Sequence, residues 1–196
     1  SYFSKTSRLG RVNTGSVAQR LADTPGVART ILDAARAARG MPGADPRAMS
    51  HSWLFTGPPG SGRSLAALDF AAALMCTDPE EPGCGRCEAC QAVLDAKQHT
   101  DLVLVDPQEV IIPVDTVREV IGRAASLPTV APWRVVIFNN ADRLNNNGAN
   151  ALLKTVEEPP ARTVIIMCAP SDAPEDFSQT LRSRCRHLYI PSPSVE

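Results

Sequence analysis

Two groups of residues in this 196-residue chain have the types and spacing that chemistry requires. The first is the run Gly57-Pro58-Pro59-Gly60-Ser61-Gly62-Arg63-Ser64. Its pattern is one in which glycines let backbone N–H groups wrap phosphates and a serine hydroxyl binds magnesium. The full pattern places a lysine before that hydroxyl to reach the β- and γ-phosphates. Arg63 stands there instead, and a planar guanidinium fork does not replace a compact ammonium in a fitted cradle. A plain strand-to-helix turn with a solvated arginine would read the same way, so nucleotide retention stays open.

Phosphoryl transfer also needs an aspartate to hold magnesium and a group to position or activate the attacking nucleophile, in this pattern a neighbouring glutamate. After the apolar run Val135-Val136-Ile137-Phe138 the chain reads Asn139-Asn140-Ala141-Asp142. An amide is neither a general base nor a full charge for a metal. Asp142 is expected to cap the next helix.

The second group is Cys76, Cys84, Cys87 and Cys90, spaced C-x7-C-x2-C-x2-C, with Gly83 and Gly85 supplying tight turns. Four converging thiolates suit a tetrahedral zinc ion with no open position, a structural site. Buried free thiols, a redox C-x-x-C pair and an iron–sulfur cluster are the competing readings. Cys168, inside an apolar run, is expected in the core.

These groups need a scaffold. Residues 27–39 are rich in helix formers and end at Gly40, and a loop with prolines at 42 and 46 leads to the short apolar strand 51–56. Alanine-rich 65–74 gives the strand, loop, helix order that a phosphate loop requires. The runs 102–105, 135–138 and 164–167 read as strands covered on both faces. Apolar spacing of three and four predicts helices over 114–121 and 148–156, with Asn145-Asn146-Asn147 as the cap of the second. The expected architecture is therefore a parallel α/β sandwich with a zinc-binding insertion at 76–90. Residues 1–50 form an N-terminal helical segment, 51–190 the core and 191–196 the start of a linker.

With 43% hydrophobic residues, a net charge of -1 and a pI of 6.3, the chain lacks the electrostatic excess for a whole-domain grip on nucleic acid. It contains no apolar run of about 18 residues and no apolar secretion signal, so a soluble cytoplasmic protein with no membrane partner is expected.

From about His51 to Tyr189 the residues resemble the N-terminal AAA+ domain of bacterial DNA polymerase III clamp-loader subunits, the delta prime type among them. The resemblance rests on His51-Ser52-Trp53-Leu54-Phe55-Thr56-Gly57-Pro58-Pro59-Gly60, the cysteine insertion and Ala141-Asp142-Arg143-Leu144. It rests further on Asn150 through Pro160 and on Leu181-Arg182-Ser183-Arg184-Cys185. It implies a five-stranded parallel sheet flanked by helices and an Arg184 finger that enters a neighbouring subunit's ATP site. It also implies gamma/tau and delta subunits as partners, with the sliding clamp and primed DNA met through the assembly. A lid and a collar domain would follow. Hydrolysing relatives would retain the lysine and the acidic pair, so a non-hydrolysing subunit is expected. The family's Val-Gly-Gln stretch appears only as Val17-Ala18-Gln19, which leaves any adenine pocket open. Two other functions stay in view: an active AAA+ ATPase, and a zinc-stabilised nucleic-acid module using Arg182, Arg184, Arg186 and His187.

Overall fold

The computed structural model describes residues 15–192. Residues 1–14 of the N-terminal segment and 193–196 of the linker lie outside the described residues. Among the described residues the first element is α1 (Val17–Arg20), fixed by a capping box in which Ser16 and Gln19 exchange hydrogen bonds. Helix α2 (Pro25–Ala38) begins on Pro25, whose missing N–H would have been an orphan there anyway.

Strand β1 (Ser52–Thr56) leads into the glycine loop and α3 (Arg63–Met75). The cysteine insertion adds α4 (Glu88–Gln91) and a π-helical turn (Ala92–Ala96). Then follow β2 (Leu102–Val105), α5 (Val114–Ala124) and β3 (Arg134–Phe138). A 3₁₀ turn (Ala141–Arg143), α6 (Asn146–Glu157), β4 (Thr163–Ala169), α7 (Gln179–Arg182) and β5 (Arg186–Tyr189) complete the order.

All strand pairs are parallel, in the order β2-β3-β4-β1-β5. Alternating side chains sort the two faces. Trp53, Phe55, Val135, Ile137, Ile166 and Cys168 pack with α2 and α3. Leu54, Val136, Phe138, Ile165 and Met167 pack with α5, α6 and α7. Both faces are covered, which explains the unbroken apolar runs. β5 is different: it is an edge strand whose residues are mostly exposed.

Asp142 is not the cap of α6. It lies inside the 3₁₀ turn, and Asn145 caps the helix by accepting from the Gly148 N–H at 2.9 Å. The asparagine run performs that role because Asn145 is the residue in extended conformation three positions before a free N–H.

Asp101 carries a buried polar network that its sequence context does not announce. It is fully buried and accepts from the amides of Thr129, Val130 and Ala131 at 2.8, 2.8 and 2.7 Å. Arg134 pairs with it at 3.3 Å and also donates to the Arg123 and Leu127 carbonyls. Burial pushes the Asp101 carboxyl up, but the three amides and Arg134 outweigh it and hold the group below its usual range. A depressed carboxylate stabilises the fold above its ordinary pKa of about 4, and that contribution is lost as pH falls through the lower folded value. Asp101→Ala should lower the unfolding free energy by about 3 kcal/mol at neutral pH, because it strands Arg134 and three amides. Urea unfolding should show the difference from the parent protein shrinking at acid pH.

Candidate functional site

The glycine loop leaves the carboxyl end of β1 between the sheet and α3. Gly57 is forced by space: a Cβ there would lie 2.4 Å from Ser61 Oγ and 2.5 Å from the Ile190 carbonyl oxygen. Gly60 and Gly62 have φ of 81° and 85°, the left-handed region that side chains resist. Gly62 is the N-cap of α3, so Ser64 sits in its first turn. The Ser61 hydroxyl is buried and makes no hydrogen bond.

Arg63 is half-buried and bonded within the chain. Its Nη1 donates to the Gly57 carbonyl, and its Nη2 donates to Asn140 Oδ1 at 3.4 Å. The two departures from the phosphate-binding pattern therefore touch. Asn140 holds a left-handed backbone at φ 52°, a conformation asparagine tolerates. Beside it, Asn139 Oδ1 and Asp142 Oδ1 are buried without partners. The guanidinium thus links the loop's first carbonyl to the turn after β3, and its charge is engaged by groups of the chain itself.

An open cleft of about 810 Å³ adjoins the loop, lined by Arg20, Asp23, Gly60, Ser61, Leu65 and Asp69 among others. Arg20 and Asp69 pair at 2.6 Å. Burial pushes the Asp69 carboxyl up to about 6 against the opposing pull of Arg20. This pair was not foreseen from the sequence. The available signal was that Asp69 is the one charged residue among the apolar residues 65–75 of α3, and an acid so placed requires a partner. Gln19, from the altered Val17-Ala18-Gln19 stretch, is occupied as the capping-box partner of Ser16.

Arg184 lies between α7 and β5, at the amino end of the sheet. Because Thr56 of β1 is level with Tyr189 of β5, the glycine loop lies at the opposite end. The four residues of β5 separate the two by roughly 13 Å of strand. The arginine and the chain's own loop are therefore not parts of one site.

The arginines near it do not form a joint basic patch. Arg182 pairs with Asp172 and Arg184 with Glu157. Arg186 donates to the Ala48 carbonyl and stacks over Trp53 at 4.8 Å. His187 bonds the Thr56 hydroxyl and faces Asp172 at 3.6 Å. Each of these four side chains is thus engaged by groups of the chain itself.

The sulfurs of Cys76, Cys84, Cys87 and Cys90 lie within 4.8 Å of one another. A tetrahedral ion with metal–sulfur bonds of about 2.3 Å sets edges of about 3.8 Å, and Cys76 and Cys87 are 3.9 Å apart. Amides of Asp78 and Cys84 point at the Cys76 sulfur at 3.4 Å, and those of Arg86 and Cys87 point at Cys84 at 3.4 and 3.3 Å. Such outer contacts orient thiolates and offset their charge. Hydrogen bonding from Cys90 and from the Cys84 and Asp78 amides outweighs burial and draws the Cys76 thiol down to about 4. The cluster can hold a metal ion. Cys168, by contrast, is a fully buried strand residue whose thiol burial pushes up to about 12.

Parallel strand order, a glycine loop after β1 and helices on both faces define an AAA+ module of P-loop type. Its fold is shared with a gamma subunit-related protein of DNA polymerase III from Thermotoga maritima. That likeness has a TM-score of 0.52 at 20% identity and covers 74% of this chain and 41% of that one. The RuvB Holliday junction branch migration motor of Thermotoga maritima gives 0.50 at 16% identity, covering 86% and 44%.

Residues 44–194 match the family described as DNA polymerase III, delta subunit, and the chain belongs to that family. It is 37% identical over 149 residues to DNA polymerase III subunit delta' of Pseudomonas aeruginosa, covering 74% of this chain and 44% of that protein. For the delta' subunit of Escherichia coli the values are 35% over 146 residues, 73% and 43%. For the gamma/tau subunit of Mycobacterium tuberculosis they are 36% over 145 residues, 73% and 25%. The chain spans less than half the length of these delta' relatives. Among the described residues, no helix is long and apolar enough to cross a membrane.

The cysteine cluster is clamped to the start of α1. Val17 N–H donates to the Gly83 carbonyl at 2.8 Å. Gly85 has φ of 75°, and a Cβ on it would lie 2.3 Å from the Gly15 carbonyl oxygen. Gly85→Ala should therefore destabilise the fold by about 2 kcal/mol or more. At about 2–4 °C per kcal/mol for a domain of this size, calorimetry should show Tm falling by several degrees.

Proposed function

We propose that this chain is the AAA+ domain of a non-hydrolysing delta prime type subunit of a bacterial, cytoplasmic DNA polymerase III clamp loader. The contact of Arg63 with Gly57 and Asn140 carries the reading. Hydrolysis requires a loop cation free to follow the γ-phosphate, a magnesium carboxylate and a group positioning the attacking water. Here the cation is bonded to the loop carbonyl and to an asparagine amide, and both acids are amides. Residues Gly57 to Ser64 would form a degenerate phosphate loop with little or no ATP binding.

The same reading gives Arg184 a role in trans. Its placement away from the chain's own loop supports service to a neighbour. An arginine fork at a neighbouring γ-phosphate offsets the charge that develops during transfer. The neighbour would be a gamma/tau subunit, with delta, the sliding clamp and primed DNA met through the assembly. The cysteine site would hold structural zinc, which four thiolates close completely and which would tie the insertion to α3 and α1.

Two measurements test these statements. The isolated chain should show no ATP turnover, whereas a reconstituted loader carrying Arg184→Ala should lose clamp- and DNA-stimulated ATPase by roughly threefold or more. Turnover by the isolated chain, or an undiminished Arg184→Ala loader, would overturn the corresponding half of the proposal. Elemental analysis should find one zinc per chain, and Cys87→Ser together with Cys90→Ser should abolish it. A metal-free native protein would refute the zinc assignment.

A further inference from the structure

Glu157 is the last residue of α6, immediately before Glu158 and the helix-ending Pro159 and Pro160. A carboxylate is unfavourable there, because the carbonyl end of a helix already carries partial negative charge. Helix stability therefore does not explain Glu157, but its partner does. Its Oε1 accepts from Arg184 Nε across the gap between α6 and the end of α7. The guanidinium has two further anchors: Nη1 donates to the Thr180 carbonyl at 2.7 Å and to Ser183 Oγ at 3.0 Å.

Three acceptors thus hold two of the three nitrogens. The third, Nη2, makes no hydrogen bond among the described residues, and the Arg184 side chain is 34% exposed. A long arginine free in solvent samples many rotamers, and ordering it opposes any contact it makes. Fixing Nε and Nη1 removes that penalty in advance while leaving one edge of the fork available. The pair is exposed enough that its contribution to folding is small.

Resting on the trans role of Arg184 proposed above, we infer that Glu157 is the positioning residue for that arginine, holding its guanidinium so that Nη2 faces outward to the neighbouring subunit. Glu157 touches no substrate. It acts through Arg184 by setting where the charge stands when ATP binds next door. Small displacements of a catalytic group lower rates steeply, so the effect should fall on turnover rather than on nucleotide affinity.

The test is a mutant cycle in reconstituted loaders containing Glu157→Ala, Glu157→Gln, Arg184→Ala and the Glu157→Ala/Arg184→Ala double variant. The readout is kcat and KM for ATP in clamp- and DNA-stimulated hydrolysis. Glu157→Ala should lower kcat by about threefold with KM little changed. Glu157→Gln, which keeps an oxygen acceptor, should restore nearly all of it. The double variant should be no worse than Arg184→Ala alone. If Arg184→Ala is impaired but Glu157→Ala is not, or Glu157→Ala is faster than the parent, the positioning role is wrong and the trans arginine stands. Losses that multiply in the double variant would also overturn it, by marking an effect independent of Arg184. An undiminished Arg184→Ala loader would remove the trans reading itself.

Discussion

Strands β1 and β5 run parallel, with Trp53 opposite Arg186 and Thr56 opposite Tyr189. That register decides where chemistry can occur. A loop that follows β1 and an arginine that precedes β5 must lie at opposite ends of the sheet, whatever their side chains do. β1 is also central, flanked by β4 and β5 and buried at every residue, so neither end can shift without disturbing the core. The separation of the glycine loop from Arg184 is thus a property of topology.

Legibility in the sequence followed burial. β1, β3 and β4 stood out because both faces are covered, leaving unbroken apolar runs. β5 did not, because Arg186, His187 and Tyr189 are exposed on an edge and show neither alternation nor continuity; it was expected only through the family resemblance. The cysteine cluster was legible because its short spacings with Gly83 and Gly85 bring four thiols to one point, and the four sulfurs converge. Asp101 and Asp69 were not, since their partners lie 33 and 49 positions away and no local pattern encodes such distances. Asp142 was assigned to a cap because cap chemistry is shared by aspartate and asparagine. Which of several adjacent candidates takes the role depends on backbone angles that the sequence leaves open.

The two buried ion pairs stitch together segments that apolar packing alone would leave adjustable. Arg20 with Asp69 ties α1 to α3, and Arg134 with Asp101 ties the start of β3 to the residue before β2. Buried pairs are poor sources of net stability but strict about geometry, since breaking one strands a charge. Around the cysteine cluster the same logic operates through backbone contacts, with Val17 bonded to Gly83 and Gly15 pressed on Gly85. Helix α1 is fixed from two sides, by an ion pair and by the cysteine loops.

This rigidity explains why the loop's glycines persist without its lysine. Gly57 has no room for a side chain because Ser61 and Ile190 occupy the space, and Gly60 and Gly62 hold backbone angles that only glycine adopts readily. None of these demands involves a phosphate. They are demands of turning the chain from β1 into α3. Lysine and the two acids answer only to nucleotide, and those are the positions that differ, with Arg63 and Asn140 now bonded to each other. A glycine pattern in such a loop therefore reports the fold, while the residue before Ser64 and the pair after β3 report the chemistry.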